Sequence, residues 1–190
     1  MTIELNSSGN QKNLGFNLTK IKDLSEKSLF PREFKVKRIL PMVEISGLLY
    51  VTNQRIYFQP YHNIYEEQVV HFTIRKCTEF FRRRFKLMEV GLQLQLTTNR
   101  GQPKSAYFAF ASDQERNAVY QAVTQYLPSG CKNEETPIME YTKEWVKGAM
   151  SNYDYLNVLN LYAQRSTQDL TQYPVFPWVL KEYKSEVLDL

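Results

Sequence analysis

The sequence predicts an α+β fold: a seven-stranded β-barrel domain capped by a C-terminal helix, followed by a mostly helical and extended segment. Three observations predict it. Seven short runs with β-like patterning, separated by turn signals, fill most of residues 33–111. A single amphipathic helical repeat follows them directly. Beyond residue 138 the pattern changes to two short helical repeats and a run punctuated by prolines.

Each element has its own signal. Residues 18–28 pattern as a short helix, with Leu18, Ile21, Leu24 and Ser25 on one face, and Pro31 ends it. Phe34-Lys35-Val36-Lys37-Arg38-Ile39-Leu40 alternates at period two. Gly47 precedes Leu48-Leu49-Tyr50-Val51. Thr52-Asn53-Gln54 then turns into Arg55-Ile56-Tyr57-Phe58-Gln59, which Pro60 stops. Further runs cover 68–74, 78–85, 91–97 and 105–111, with a loop over 98–103. Ser112 then stands three residues before Glu115, the capping-box spacing. Ala118, Val119, Ala122, Val123 and Tyr126 make one apolar helical face through Leu127. Seven strands followed by one helix is the order of a PH-like or GRAM-type domain, in which the helix plugs a bent sheet.

The 190 residues suit one small domain plus part of another. Hydrophobic residues at 43% and charged residues at 23% exclude a disordered or fibrous chain. A net charge of +4 is too small to announce a nucleic-acid binder, and none is expected as a partner. That charge is uneven: +2 over residues 1–32, +5 over 33–127 and −3 over 128–190. The organisation expected is an N-terminal extension over 1–32, a PH-like domain over 33–127, a linker over 128–138 and a separate unit over 139–190. No run is long and apolar enough to span a bilayer, and the N-terminus does not pattern as a signal peptide. The expected location is cytoplasmic, with peripheral contact with membranes as the alternative.

Catalytic chemistry finds no support. His62 and His71 have no thiol or carboxylate set at useful spacing, and Gly-rich phosphate loops, Gly-x-Ser-x-Gly and Cys-x-x-Cys are absent. No catalytic residue, metal site or cofactor is expected. Cys77 reads as a core thiol and Cys131 as a linker thiol. Lipid phosphate, if bound, would draw on Lys35, Lys37 and Arg38, since the loop over 41–47 has no base and one acid. In Arg82-Arg83-Arg84, alternation puts Arg82 and Arg84 on one face and Arg83 on the other.

The last unit starts with a helix over 139–147 that Gly148 ends. Ser151 caps a second helix, with Asp154 near its positive end and Tyr155, Leu156, Leu159 and Tyr162 as its apolar stripe. Pro174 and Pro177 force extended backbone, so Tyr173, Phe176 and Trp178 need a surface to bury against.

Trp145, Gly148, Ser151-Asn152-Tyr153, Tyr155-Leu156, Leu159-Asn160, Arg165-Ser166, Asp169-Leu170 and Gln172-Tyr173-Pro174-Val175-Phe176-Pro177-Trp178 together resemble the start of a BEACH domain. Gln164 and Gln168 depart from the family pattern. The upstream unit fits the same PH-BEACH family, in which a PH-like domain precedes the BEACH domain and packs on it. Ile56-Tyr57-Phe58-Gln59-Pro60 and the run from Arg82 to Met88 with Gly91-Leu92 resemble, more narrowly, the branch associated with activation of a neutral sphingomyelinase. The resemblance implies a non-catalytic scaffold in vesicle traffic, lysosome- and autophagy-related processes or receptor signalling. It implies the rest of the BEACH domain and other proteins as partners. A BEACH domain is several times longer than this segment, so the chain is expected to be a fragment, with a poorly packed tail over 174–190. The seam between the units is expected to use Arg75, Arg82 and Arg84 on one side and Asn152, Tyr155, Asn160, Arg165 and Trp178 on the other. The alternative is a PH-like domain that docks weakly on anionic membrane through Lys35, Lys37 and Arg38.

Overall fold

A computed structural model describes residues 15–62, 68–98, 100–134, 136–177 and 184. Trp178 and the rest of the tail, apart from Lys184, lie outside these residues.

Seven strands precede the first α-helix: β1 (Phe34–Leu40), β2 (Val43–Val51), β3 (Arg55–Pro60), β4 (Val70–Thr73), β5 (Cys77–Phe85), β6 (Met88–Thr97) and β7 (Pro103–Phe110). Helix α1 (Asp113–Thr124) follows, then a two-residue strand β8 (Lys132–Asn133), α2 (Ile138–Val146) and α3 (Asn152–Tyr162). The strands form one sheet in the order β4-β3-β2-β1-β7-β6-β5-β8. The sheet therefore has eight strands, one more than expected. The extra strand comes from the predicted linker and runs parallel to β5, with Glu79 opposite Lys132 and Phe80 opposite Asn133. Among the described residues no pairing joins β4 to β5, so the sheet is a bent strip and not a closed hydrogen-bonded barrel.

Alternation builds the core. Phe34, Val36, Leu49, Phe58, Phe72, Phe80, Leu92, Leu94 and Phe108 turn inward, where Val119, Tyr120 and Val123 of α1 meet them. Phe80 stacks on Tyr120 with ring centroids 5.1 Å apart. Burying each such side chain is worth about 1.5–3 kcal/mol. The cap expected at Ser112 forms: its hydroxyl accepts from the Glu115 N–H at 3.2 Å. Gly47 lies inside β2, where a Cβ would strike the Gln59 carbonyl and the Phe58 ring. Cys131, expected as a linker thiol, is buried with Cys77 in this core. The outer face of the sheet carries a second cluster of Ile39, Phe85, Val90, Tyr107 and Ala109.

The helix expected over 18–28 does not form. Only Leu18–Lys20 winds, as one 3-10 turn. The backbone beyond it bonds to the β2–β3 hairpin: Asn53 donates to the Lys27 carbonyl at 3.0 Å, and Leu29 to the Val51 carbonyl at 3.0 Å. The fully buried Glu26 carboxylate pairs with Arg55. It also accepts from Thr52 at 2.6 Å and Tyr57 at 2.7 Å. Tertiary bonds thus replace the helical ladder, and Leu24, one of the predicted apolar positions, is fully exposed.

Helices α2 and α3 both end in a left-handed residue. Gly148 has φ 74°, with Gly148 bonded to the Trp145 carbonyl at 2.9 Å and Ala149 to the Glu144 carbonyl at 2.9 Å. Gln164 has φ 62°, with Gln164 bonded to the Leu161 carbonyl and Arg165 to the Asn160 carbonyl, both at 3.0 Å. Each set of bonds is a Schellman arrangement. Of the predicted α3 stripe, Tyr155, Leu156, Leu159 and Tyr162 are only half-buried, and the buried positions are Val158 and Asn160.

Candidate interaction site

The seam forms where α3 crosses the outer face of β5 and β6. Strand alternation sends Glu79, Phe81 and Arg83 outward, and Phe80, Arg82 and Arg84 toward α1. The central arginine is therefore the one at the seam. Gly91 stands opposite Arg83 in the ladder. A Cβ there would lie 2.8 Å from the Arg83 carbonyl and 2.9 Å from the Tyr107 ring, so glycine is what lets Arg83 lie flat.

Arg83 is 1% exposed. Its Nε donates to Gln93 Oε1 at 2.8 Å, and its Nη1 donates to the Leu161 carbonyl at 2.6 Å. The guanidinium also lies over the Phe81 ring at 5.3 Å. Leu161 is in the last turn of α3, at the negative end of the helix dipole, and its carbonyl also accepts the Gln164 N–H at 3.0 Å. Burial lowers the Arg83 pKa to about 10, which leaves it charged at neutral pH. Gln93, also buried, passes the contact on by donating to Ser105 Oγ at 3.2 Å and Gln168 Oε1 at 3.3 Å.

Tyr162 makes the apolar part of the seam. Its ring meets Phe81 edge-on at 5.7 Å and Tyr141 of α2 at 6.1 Å. Its hydroxyl donates to the Asn133 carbonyl at 3.3 Å and to the Thr136 carbonyl. Burial first, and neighbouring tyrosines and carboxylates next, push its pKa up to about 12.

Asn160 fastens the extended run. Its Oδ1 accepts from the Val175 N–H and its Nδ2 donates to the Val175 carbonyl, both at 2.8 Å. Nδ2 also reaches the Leu156 carbonyl at 3.0 Å, and Arg165 Nη1 donates to Oδ1 at 3.3 Å. Arg165, Arg83, Asp154, Asn157 and Glu79 line a polar cavity of about 240 Å³ beside this bond. Asn152 accepts from Trp145 Nε1 at 2.7 Å, and Tyr155 stacks on Trp145 at 4.6 Å while its hydroxyl meets Thr142 at 2.9 Å. These two residues join α2 to α3 and do not face the sheet.

The remaining expected residues lie elsewhere. Arg82 turns to the α1 side. Its Nε donates to Glu134 at 2.7 Å, its backbone N–H donates to the same carboxylate at 2.6 Å, and its guanidinium lies over Tyr120 at 4.9 Å. The hydrogen bond to Glu134 raises the Arg82 pKa. Arg84 pairs with Glu89 at 2.5 Å on the neighbouring strand, and Arg75 is exposed on a 3-10 turn before β5. Arg82 and Arg84 are thus corrected from the seam to the opposite face. Lys35, Lys37 and Arg38 do not form one cluster. Lys35 and Lys37 are exposed on the outer face, while Arg38 lines a cavity of about 350 Å³ at the mouth of the sheet with Lys104 and Phe58. Arg83, Gln93 and Tyr162 are the seam residues that sequence reasoning missed. The detectable signal was Gly91, which marks a close approach.

The BEACH resemblance has direct support. Residues 143–190 match the family described as Beige/BEACH domain. The chain is 32% identical over 148 residues to the "Lysosomal-trafficking regulator" of Drosophila melanogaster, covering 77% of this chain and 4% of that protein. It is 32% identical over 180 residues to a "Putative neurobeachin homolog" of Caenorhabditis elegans, covering 81% and 7%. "Beige protein homolog 1" of Saccharomyces cerevisiae is 59% identical over 51 residues, 27% of this chain and 2% of that protein. The chain thus spans a few per cent of the length of these BEACH-family relatives. Among solved structures, the Vps36 N-terminal PH domain aligns with a TM-score of 0.42 at 16% identity, covering 55% of this chain and 84% of that one. The Slm1 PH domain in complex with inositol-4-phosphate aligns at 0.40 and 11% identity, covering 51% and 95%. No described helix is long and apolar enough to cross a membrane.

Proposed function

We propose that this chain is the junction between a PH-like, GRAM-related domain and the start of a BEACH domain, and that it works as a non-catalytic scaffold. Its setting is membrane traffic, with lysosome- and autophagy-related processes or receptor signalling as the outlets. The BEACH match over 143–190 and the trafficking relatives support the setting. The observation that carries the scaffold reading is the buried Arg83, which binds the sheet to α3 through hydrogen bonds. The partner on the exposed aromatic face of Tyr153, Tyr173 and Phe176 is the remaining BEACH domain, and other proteins are gathered by the assembled pair. Within the family, the run around Ile56–Pro60 and Arg82–Met88 favours the branch that includes FAN, factor associated with neutral sphingomyelinase activation.

The test is Arg83→Glu in the full-length gene product, compared with Lys20→Glu on the surface. Loss of co-purifying partners and disturbed lysosomal traffic with Arg83→Glu alone is expected. Normal traffic despite a disrupted seam would overturn the reading.

A second reading is favoured by the outward, exposed Lys35 and Lys37: weak peripheral docking of the PH-like domain on anionic membrane. Vesicle sedimentation in low and high salt tests it, and binding that needs anionic lipid and fades with salt is expected.

A further inference from the structure

Two hairpin tips lie side by side on the outer face of the sheet. The β1–β2 turn is Pro41-Met42, closed by the pair Leu40 and Val43. The β5–β6 turn is Lys86-Leu87, closed by Phe85 and Met88. Glu44 ties them together: its carboxylate binds Lys37 Nζ at 3.1 Å and Lys86 Nζ at 2.6 Å.

Both tips present apolar side chains to the outside. Met42 is 84% exposed, Leu87 80%, Met88 56% and Val43 49%. A two-residue turn with both residues at positive φ ordinarily selects Asn-Gly. Here Lys86 has φ 50° and Leu87 φ 65°, so the backbone carries strain to hold a lysine and a leucine at the apex. At this exposure Met42 and Leu87 bury little apolar surface in the fold.

The surrounding charge selects the partner. Lys37, Lys86 and the exposed Lys35 outnumber the one carboxylate between the tips, Glu44, which is already paired with Lys37 and Lys86. Apolar apices inside a basic collar match a surface with anionic headgroups over a hydrocarbon layer.

We propose that the paired tips Met42-Val43 and Leu87-Met88 insert as a wedge into an anionic lipid surface, with Lys35, Lys37 and Lys86 as the collar that meets the headgroups. This deepens the membrane-docking reading and rests on it, and it assigns the contact to the tips and not to the cavity beside Arg38.

The test sediments the full 190-residue chain with vesicles of phosphatidylcholine alone and with added phosphatidylserine. Co-sedimentation is expected with phosphatidylserine only, weakening with salt. Leu87→Asp and Met42→Asp should each weaken it about tenfold, and Lys86→Ala about fivefold, with Arg38→Ala unchanged. These positions are exposed, and far-ultraviolet circular dichroism verifies that the variants fold. Unchanged binding by both tip variants, with loss in Arg38→Ala, would overturn the wedge and leave the membrane reading standing. Absence of binding to anionic vesicles at low salt would overturn both.

Discussion

Arg83 donates a hydrogen bond of 2.6 Å to the carbonyl of Leu161, joining the fifth strand to the last turn of α3 across 78 residues of sequence. The acceptor is a helix-terminal carbonyl and the donor is a buried cation. The contact therefore combines a hydrogen bond with the favourable field of the helix C-terminus. It also makes the orientation of α3 depend on one side chain of the sheet.

Removing that side chain leaves Gln93 Oε1 buried without its donor. Arg83→Ala should destabilise the chain by about 1–3 kcal/mol in chemical denaturation. Arg83→Lys should recover little, because one ammonium cannot serve Gln93 and Leu161 in the fork geometry. An apolar replacement of both partners, Arg83→Met with Gln93→Leu, should regain at least half of the loss. Equal stability of Arg83→Ala and the parent would refute the structural role.

Asn160 holds Val175 by both backbone groups, so its loss should act locally. Asn160→Leu is expected to release the extended run over 172–177 while the sheet stays folded, at a cost of about 1–3 kcal/mol. Hydrogen exchange should show the Val175 amide lose protection, with strand amides unchanged. Protection that persists at Val175 would count against the assignment.

Gln164 occupies the left-handed position that Gly148 fills at the end of α2, and its Oε1 is buried with no hydrogen-bond partner. Glycine removes the steric cost there. Gln164→Gly should raise stability by about 1 kcal/mol, read as a higher denaturation midpoint, and Gln164→Val should lower it. A destabilising Gln164→Gly would show that the side chain contributes more than its backbone strain costs.

Alkaline pH should weaken the fold through its tyrosines. Burial raises the pKa of Tyr57, Tyr107, Tyr141 and Tyr162, the last to about 12. Groups with raised folded values supply stability in full below the unfolded value near pH 10 and lose it as pH rises through the folded one. Arg83, lowered to about 10 by burial, has the opposite sign: its deprotonation relieves buried charge above that pH. Four tyrosines against one arginine should give a net fall. Phenolate absorbance should show four late-titrating tyrosines that ionise together with unfolding. Reversible titration of every tyrosine near pH 10 with the fold intact would contradict this.

The sequence made some parts of this legible and hid others for identifiable reasons. Caps were legible because they are local: Ser112 and Ser151 each accept from the N–H three residues on, at 3.2 Å and 3.1 Å. The helix over residues 18–28 failed because Glu26, Lys27 and Leu29 found partners on a hairpin more than twenty residues away, which no local pattern reports. Alternation in Phe80-Phe81-Arg82-Arg83-Arg84-Phe85 was legible, but its parity was not. Aromatic rings occupy both faces, so period two alone does not say which arginine meets the helix. Only the sheet order, which puts α1 behind Phe80 and α3 over Phe81, resolves it.

Strand β8 gives the chain a mechanical property. The connector between the two units is hydrogen-bonded into the sheet through Lys132 and Asn133, and Glu134 clamps it to Arg82 immediately afterwards. A pull that reaches these residues is therefore delivered to the edge of the sheet. The connector is a splint: lifting it off the sheet requires peeling that strand and parting Glu134 from Arg82, so the point at which the chain leaves the sheet is fixed by side-chain and backbone bonds together.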